Sequence, residues 1–576
     1  MISLTSVRKH LAFPKTSWQI CLLAIIGGAA SALLVVLFTL TIDTLQSFYI
    51  AERNDYSSLS AIQRFALPLI GAIIILFFAW LTGYKYLRTG IPFILHRLKT
   101  AHGLIPLKNT LNQFWGSAVA LASGFSVGQE GPAVHLGAAC SGYLGHFLKL
   151  PHNSIRTLSA CGVAAGISAT FNTPIAAVIF VMEVIMREYK VHVFIPVMLA
   201  SLVGSLITSN LFNISHDFSY FVKVDLNNHY YFFLAILAVV IGILASVFNR
   251  FLIFVIHQSS TIHIAKRLFF AALITGAIGY FIPGAMGTDT SVFNISLIDD
   301  WPLSLLISLL IAKFIMTTFA LGLGIPGGVI GPTLSIGAIT GACVGVIAVQ
   351  ISPGDHVVSD FILMGMTGFM AATLNAPLAA LLAIVELSGQ LEIIVPAMLV
   401  ITISSIISGQ LFKNRSIFTM QLDIQGLDYR TPPIEKALQS VGVTTLMKTP
   451  FNILNNVHPK ALAGLMVSSQ DGKALINKQT MADSNESQFF LATFNPDIPL
   501  SAFDPIRHSV QYQASKKISL LPLLPISHQA SLAEAYTAMV KQKDKVLYVH
   551  DDQKTLIGIV FFKQITQYLE QGKLKK

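Results

Sequence analysis

Three short segments combine glycine and proline in a pattern that could bind an anion. They are residues 102–106 (HGLIP), 128–132 (GQEGP) and 327–332 (GGVIGP). Proline is favoured in the first turn of a helix, and glycine lets the preceding backbone turn sharply and come close to a ligand. Each segment therefore predicts a helix that begins after a flexible loop. The free amide groups and the positive dipole ends of such helices attract anions without burying a full positive charge.

The second of these segments contains Glu130, an acid in an apolar stretch with no Lys or Arg nearby in the sequence. An ionisable side chain in such a context indicates a functional site by default. The alternative role, a partner in a salt bridge, is weak because the neighbouring sequence offers no basic residue.

The composition places these segments in a membrane protein. Of the 576 residues, 53% are hydrophobic and 11% are charged, whereas an ordinary soluble domain has about 25% charged residues. Residues 1–412 hold 34 of the 66 charged side chains, and residues 413–576 hold the other 32. A long membrane-like part therefore precedes a shorter polar part. This composition excludes a soluble enzyme of average composition, a disordered protein and a disulfide scaffold.

The net charge of +10 does not indicate nucleic-acid binding. The basic residues lie between apolar segments, as in the cytoplasmic loops of membrane proteins, and no basic stripe with interleaved aromatic residues is present. His135 and the other histidines lack metal-ligand spacing, so we interpret them as packing residues. The sequence predicts neither a metal site nor a cofactor. The cysteines lie singly in apolar runs and are expected to be buried thiols: Cys21, Cys140, Cys161 and Cys343.

The apolar segments predict a chain that crosses the membrane many times. The basic residues 1–17 precede an apolar run at residues 18–40, which is too long for a signal-peptide core and lacks a small-residue cleavage site. We therefore expect a first spanning helix with its basic flank in the cytoplasm. Further apolar segments lie at residues 65–83, 113–146, 157–186, 191–213, 229–257, 268–285, 302–322, 328–351, 359–388 and 393–412.

The longest of these segments predict broken helices. A spanning helix needs about 20 residues, and several of the segments are longer or contain glycine and proline. Broken helices at membrane depth are tolerated only where the freed backbone faces protein or an aqueous cavity. This pattern is typical of a transport site.

The chain also contains a second copy of its own pattern. Residues 162–183 (GVAAGISATFNTPIAAVIFVME) match residues 365–386 (GMTGFMAATLNAPLAALLAIVE) at an offset of 203. Residues 131–138 match residues 331–338 at an offset of 200. Two halves with the same helix breaks predict an internal repeat, with the substrate site where the halves meet.

At these residues the chain resembles the CLC family of chloride channels and chloride/proton antiporters. The segment GQEGP is similar to the family motif G-[RK]-E-G-P, GGVIGP to G-x-F-x-P, and HGLIP, more weakly, to G-S-G-I-P. The resemblance covers residues 18 to about 425. It implies an all-α membrane fold of inverted repeats with broken, tilted helices, and a homodimer with one pore in each subunit.

The resemblance also implies roles for individual residues. Glu130 would be the gating glutamate, because an ionised carboxylate competes with the anion for the same amides and a protonated one releases the path. The anion path would be lined by the amides of Gln129, Gly131, Val329 and Ile330.

The chain departs from the family pattern at the central anion site. Gly103 stands nearest to the family's anion-binding Ser, and Phe418 stands in place of its Tyr. With both hydroxyls absent, we expect this site to depend on backbone amides, to bind chloride less tightly and to discriminate less between anions. In addition, Gln129 replaces the usual basic residue before the gate, and Ile330 replaces the usual Phe.

A further departure concerns protons and fluoride. Val184 occupies the place of the inner glutamate of the family's antiporters, as in many of its channels. Glu183 has a repeat partner, Glu386, so Glu183 is either a structural carboxylate that caps or bridges helices or part of a proton pathway. Fluoride-selective relatives would be expected to carry an acid near the third motif, but residues 301–354 contain none.

Residues 426–576 predict a small cytoplasmic α/β tail. Strand, helix, strand, strand and helix patterns lie at residues 520–526, 531–542, 546–550 and 556–560 and in the following stretch to residue 570, an order that resembles a CBS domain. Residues 434–515 would hold a first, poorly matching copy. Phe561 and Gln564 replace the Thr and Asp that often bind adenine nucleotides. This argues against nucleotide binding and favours a structural or dimer-stabilising tail.

The sequence thus predicts a Glu130-gated chloride transport protein with three parts: residues 1–17, a membrane domain at 18–425 with halves at about 18–215 and 229–425, and the tail at 426–576. We expect a passive channel gated by voltage or pH, with a chloride/proton antiporter or, further removed, a fluoride transporter as alternatives. No nucleophile–base or metal constellation supports an enzyme or a receptor. In a bacterium, the protein would lie in the plasma membrane with both termini in the cytoplasm.

Overall fold

The computed structural model describes residues 4–13, 15–50, 53–83, 90–212, 228–287, 302–352, 357–427, 429, 432–449, 451–455, 474–480, 487–494, 518–542 and 546–571. The chain forms two compact units. The membrane unit contains residues 16–148 and 155–430, and the tail unit contains residues 1–15, 149–154 and 431–576.

The membrane unit consists of helices in two successive halves. The first half contains α2 (Trp18–Ser47), α3 (Ala61–Leu81), α4 (Gly90–Thr100), α5 (Leu107–Ala122), α6 (Glu130–Phe147), α7 (His152–Phe171), α8 (Pro174–Phe180) and α9 (Val191–Phe212). The first three residues of α7 belong to the tail unit, and so does helix α1 (Leu4–Leu11), which precedes α2. The second half contains α10 (Tyr230–Ser259), α11 (Ile264–Phe281), α12 (Leu303–Leu323), α13 (Ile330–Ile351), α14 (Val357–Leu374), α15 (Pro377–Ser388), α16 (Ile394–Ile406) and α17 (Ile417–Ile424). A π-helical turn continues α8 at Val181–Met186, and another continues α16 at Ile407–Leu411.

The predicted repeat is present helix by helix. Among the described helices, α2, α3, α5, α6, α7, α8 and α9 have counterparts in α10, α11, α12, α13, α14, α15 and α16, in that order. Nine of the described helices are long and apolar enough to cross a membrane, and α8 with its π-helical turn and α15 are shorter apolar helices. The chain is therefore an integral membrane protein that crosses the bilayer several times.

The long apolar segments are broken where the sequence predicted. Residues 157–186 form α7 and α8, which are separated at Asn172, and residues 359–388 form α14 and α15, which are separated at Asn375. Both asparagines have positive φ, 55° and 54°, a conformation that asparagine tolerates better than most residues. Pro174 and Pro377 then begin the next helices, where a missing amide proton costs nothing.

Glycine permits the same close helix contact in both halves. A Cβ atom on Gly137 of α6 would collide with the carbonyl oxygen of Gly162 on α7. A Cβ atom on Gly337 of α13 would likewise collide with the carbonyl oxygen of Gly365 on α14. These contacts bring the helices that carry the second and third motifs directly against the broken helices.

The tail unit has two small sheets with helices. The elements after the membrane unit are α18 (Pro433–Gln439), β1 (Phe451–Asn455), β2 (Ala474–Thr480), β3 (Ser487–Phe494), β4 (Ile518–Pro522), β5 (Leu524–Ser527), α19 (Leu532–Gln542), β6 (Val546–His550), β7 (Leu556–Phe561) and α20 (Phe562–Gln571). One sheet has the order β1-β2-β3-β4, with only the first pair parallel, and the other has the order β5-β6-β7, with β5 parallel to β6.

The second sheet with α19 and α20 shows the predicted order of strand, helix, strand, strand and helix. Its core contains Leu532, Leu547, Val560 and Ile565, all fully buried. The predicted first copy at 434–515 is described only in part, since residues 456–473, 481–486 and 495–517 lie outside the described residues.

Candidate functional site

The second and third motifs meet at the N-termini of α6 and α13. The amide of Gly128 donates to the Gly328 carbonyl at 2.7 Å, and the amide of Gly328 donates to the Gly128 carbonyl at 2.6 Å, in an antiparallel bridge. The two motif loops, which lie 200 residues apart in the sequence, therefore place two helix N-termini side by side. We call this meeting point the junction.

The junction offers several amide groups that the helices themselves do not use. The first intrahelical bonds run from Ala133 to the Gln129 carbonyl and from Thr333 to the Val329 carbonyl. The amides of residues 129–131 and 329–331 therefore precede the intrahelical ladder, as at every helix N-terminus. Four residues predicted for the anion path, Gln129, Gly131, Val329 and Ile330, lie in these two turns, and all except the half-buried Gln129 are buried.

The carboxylate of Glu130 lies in the junction. The Glu130 side chain is 1% exposed, and a Cβ atom added to Gly128 would collide with its Oε2 atom. A Cβ atom on Gly328 would lie 2.9 Å from Oε2, and one on Gly331 would lie 2.9 Å from Oε1. The three glycines leave the room that the carboxylate occupies, which is where a competing anion would meet the same helix ends.

Gly103, the residue predicted for the anion path from the first motif, lies elsewhere. Its φ is +90°, and its amide donates to the Arg97 carbonyl at 3.0 Å, so that it ends α4 as a C-terminal cap. A Cβ atom on Gly103 would collide with the Ser159 hydroxyl on α7. The segment HGLIP does precede a helix, α5, but the structure does not bring Gly103 to the junction.

The N-terminus of α4 reaches the junction instead. Gly90 begins α4 with φ +76°, its amide donates to Gln113 Oε1 at 2.8 Å, and a Cβ atom on it would lie 3.8 Å from the Gly327 carbonyl oxygen. Residues 90–92 read Gly-Ile-Pro, which matches the end of the motif G-S-G-I-P better than HGLIP does. The preceding residue in the sequence is Thr89, another hydroxyl residue, which lies outside the described residues.

Phe418 is buried near these helices. It is the second residue of α17, is 2% exposed, and its helix packs against α4 and α14. The helix that carries this ring without a hydroxyl therefore packs against the helix that reaches the junction.

Glu183 and Glu386 cap helices reciprocally between the halves. Glu183 Oε2 accepts the Ala379 amide at 2.8 Å and its Oε1 accepts the Leu378 amide at 3.4 Å, at the start of α15. Glu386 accepts the Ile175 and Ala176 amides at 2.9 and 2.7 Å, at the start of α8. A carboxylate at a helix N-terminus is stabilising. Each half therefore gives and receives the same kind of contact, as in an isologous interface.

An apolar cavity leads from Glu130 to these caps. Ala176 and Ala379, whose amides bind the two glutamates, both line it. Apart from Glu130 and Thr173 its lining is apolar, and it comes from both halves: Ile167, Phe171, Ala176, Phe180, Ile330, Leu334, Met370, Ala379, Ala383 and Leu387.

The fold and the site together define a class of membrane protein. Its members have two repeated halves and an acid that lies among helix N-termini at the junction of the halves. The family model for voltage gated chloride channels matches residues 72–409, more than half of the chain. The chain belongs to this family.

Three solved structures share the fold. A slow cyanobacterial Cl⁻/H⁺ antiporter is 20% identical, with a TM-score of 0.63 over 70% of this chain and 97% of its own. A eukaryotic CLC transporter is 19% identical, with a TM-score of 0.58 over 95% of this chain and 98% of its own. A CLC-type fluoride/proton antiporter is 20% identical, with a TM-score of 0.59 over 70% of this chain and 97% of its own. At such identities the likeness concerns the fold alone.

Proposed function

We propose that the protein moves chloride and related anions across the membrane and that Glu130 is the gate. The observation that carries this proposal is the Glu130 carboxylate among Gly128, Gly328 and Gly331, at the N-termini of two helices. An ionised carboxylate there uses the amides that would hold an anion. When it is protonated, the attraction to the helix dipoles is lost and the side chain can leave the path.

The first mode that we propose is a passive channel. Val184, in the place of the antiporters' inner glutamate, is apolar and 3% exposed. Glu183 beside it already accepts two amides of α15, which favours a capping role for this carboxylate. In a channel, chloride flux follows the chloride gradient and carries no proton with it.

The alternative mode is a chloride/proton antiporter, and the apolar cavity supports it. The cavity reaches from Glu130 to Ala379, whose amide donates to Glu183. A proton route along this cavity would need water, since all the remaining lining except Thr173 is apolar.

A flux assay separates the two modes. Full-length protein in proteoliposomes is given a chloride gradient while chloride and internal pH are recorded together. Uphill proton movement driven by chloride selects the antiporter, and chloride flux without it selects the channel. Absence of any anion flux, with chloride and fluoride both tested, would refute the transport proposal itself.

We further propose a homodimer, as the family resemblance implies, in the plasma membrane if the source is a bacterium. The tail has a structural role in this proposal. The Gln564 side chain, in a nucleotide-binding place of CBS domains, accepts the Phe561 amide and donates to the Leu446 carbonyl, both at 2.9 Å. Its polar atoms are thus engaged within the tail. Mass measurement of the detergent-solubilised protein tests the dimer, and a titration with ATP tests the tail.

A further inference from the structure

His135 is a fully buried histidine on the helix that begins with Glu130. It is 0% exposed, and neither Nδ1 nor Nε2 has a hydrogen-bond partner among the described residues. One ring nitrogen of a neutral imidazole is a donor and the other an acceptor, so both are left unsatisfied. Buried polar atoms nearly always have a partner, and an exception calls for an explanation such as a catalytic role or a bound ion.

His135 follows the junction residue Gly131 by about one turn of α6. Gly131, four residues earlier on the same face of α6, is so close to the third-motif loop that a Cβ atom on it would lie 2.8 Å from the Gly328 Cα atom. Side chains on a helix lean toward its N-terminus and cover the preceding turn. By this general rule the imidazole covers the turn of Gly131, a residue that has no side chain of its own.

A second helix supports the same placement. The His135 ring stacks on Phe93 of α4, with ring centroids 5.8 Å apart and planes 9° apart. Phe93 lies one turn after Gly90, the residue with which α4 reaches the junction. The stack fits the packing role that the sequence predicts for His135. A phenylalanine at this position would stack equally well and would leave no nitrogen without a hydrogen-bond partner, so packing alone does not explain a histidine here.

We infer that His135 is a second proton-binding residue of the anion path, which takes up a proton together with the anion that enters the junction. This inference rests on the proposed anion transport. The proton comes from solvent and binds the free ring nitrogen, and no covalent bond other than N–H changes. A buried imidazolium is costly in apolar surroundings unless a negative charge is near, and an anion in the junction supplies that charge. By linkage, protonation of His135 then strengthens anion binding to the same extent.

The other charged or titratable groups near α6 lie on α6 itself and on the helices packed against it. They are Glu130, Cys140, Tyr143 and His146 on α6, Cys21 and Asp43 on α2, His96, Arg97 and Lys99 on α4, Lys108 on α5, His152, Arg156 and Cys161 on α7, and Cys343 on α13. Arg97 donates to the Leu104 carbonyl and Asp43 pairs with Arg53. Glu130 is the acid that lies in the junction itself, so the experiment first replaces it with a residue that does not titrate.

The experiment measures proton uptake on chloride binding. Full-length Glu130→Gln protein is placed in weakly buffered detergent solution between about pH 5 and 8, the range in which histidine changes its charge. Potassium chloride is added, and the pH change and the chloride affinity are recorded. We expect proton uptake, and chloride binding that tightens by up to about tenfold per pH unit as the pH falls.

Two variants assign the proton to His135. In Glu130→Gln/His135→Gln, a polar side chain that does not titrate replaces the imidazole, and in Glu130→Gln/His135→Phe the stack on Phe93 is kept. Both should lose the proton uptake and the pH dependence of chloride affinity. The control is Glu130→Gln/His146→Gln, because His146 is exposed near the other end of α6, and it should behave like the parent.

The outcomes separate this inference from the proposed function. Proton uptake that persists in the His135→Gln variant, or is missing in the parent although chloride binds, overturns the role of His135 and leaves anion transport standing. Chloride flux of the wild-type protein is measured in parallel. If there is none, the proposed function and this inference fail together. The His135→Gln variant decides the matter alone if the His135→Phe protein does not fold.

Discussion

At the scale of single residues, glycine decides where the Glu130 carboxylate can lie. Gly128, Gly328 and Gly331 each lack the Cβ atom that would meet its oxygens. The positive ends of α6 and α13 therefore lie beside an acid from the chain itself, and in the proposed mechanism a transported anion must replace that acid. In the proposed mechanism, this competition makes the charge of the Glu130 side chain the variable that controls the path.

The first prediction concerns that charge. Glu130→Gln keeps the size of the side chain and removes its negative charge, so chloride flux in proteoliposomes should rise several-fold and lose most of its pH dependence. In the wild type, flux should rise as the pH falls and the carboxylate takes up a proton. Glu392→Gln, at an exposed glutamate, is the control and should leave flux unchanged. A folded Glu130→Gln protein with wild-type, pH-dependent flux would remove Glu130 from the mechanism.

The second prediction concerns Phe418. Phe418→Tyr adds a hydroxyl to a buried ring on the helix that packs against α4. If the ring faces the anion path, the new donor should tighten chloride binding by about 1 kcal/mol, the net value of a typical hydrogen bond. Isothermal titration calorimetry measures this. Phe147→Tyr, at an 84% exposed ring, is the matched control, and equal affinities in both variants would contradict our placement of Phe418.

At the scale of elements, the repeat explains why the two capping glutamates occur as a pair. Each carboxylate of one half binds the start of the helix that begins at the proline of Asn-x-Pro in the other half. The caps therefore satisfy helix N-termini that open onto the apolar cavity, and they join the halves at the same time.

The third prediction follows from the equivalence of these caps. Glu183→Ala and Glu386→Ala should each lower the free energy of unfolding by about 0.5–2 kcal/mol, the usual cost of losing an N-terminal cap. The two losses of unfolding free energy should be similar because each carboxylate accepts two backbone amides at a helix start. Thermal unfolding in detergent gives the comparison. If the protein couples protons and only Glu183→Ala abolishes the coupling, Glu183 is part of a proton pathway and the capping role is not sufficient.

The breaks between elements could be predicted from the sequence because their causes are local. Asn172 and Asn375 adopt positive φ, and the following prolines start new helices. The helix starts in the second and third motifs follow from glycine and proline in the same way. These signals act within a few residues, so the pattern alone reveals them.

Other parts of the site depend on contacts between distant residues. Glu386 binds amides 210 and 211 residues away, and no local pattern indicates which helix a carboxylate will cap. Two nearby segments, Gly90–Pro92 and residues 102–106, both end in Ile-Pro, so the local pattern does not decide which of them lies at the junction. Only the fold shows that Gly90 approaches Gly327, whereas Gly103 ends α4.

At the scale of the whole molecule, one aspartate joins three distant parts of the tail unit. Asp552, in the turn between β6 and β7, pairs with Lys149 at 2.9 Å and with Arg8 of α1 at 3.8 Å. The hydrogen bond from Lys149, helped by the charges of His528, Lys149 and Arg8, lowers the pKa of Asp552 below its ordinary value. The ion pairs are partly exposed, so salt should weaken them.

The fourth prediction is an acid-sensitive contribution from Asp552. A carboxyl whose pKa is lowered in the folded chain stabilises the fold at pH values above its pKa in the unfolded chain, which is about 3.9. This stabilisation is lost as the pH falls through the pKa of the folded chain. The melting temperature of the full chain should therefore decrease as the pH is lowered below about 4. The melting temperature of Asp552→Asn should decrease less over the same pH range. Lys149→Met should mimic Asp552→Asn at pH 7. Identical acid profiles for Asp552→Asn and the wild type would contradict this account.

The fifth prediction is the topology of the chain. The tail unit contains residues 1–15, 149–154 and 431–576, so these segments must lie on one side of the membrane. Residues 1–17 are basic, and Lys and Arg are enriched in cytoplasmic segments, so this side should be the cytoplasm. Helix α2 would carry the chain across, which places Ser57, between α2 and α3, on the outside.

Cysteine labelling tests this arrangement in cells. In a background with the four native cysteines replaced, an impermeant thiol reagent should label Ser57→Cys in intact cells, because this exposed position would face outward. Lys9→Cys and Lys554→Cys, both exposed, should be labelled only after permeabilisation. Labelling of Lys9→Cys and Lys554→Cys from opposite sides would contradict a tail unit built from both ends of the chain. Labelling of both from outside would instead reverse the orientation of the chain in the membrane.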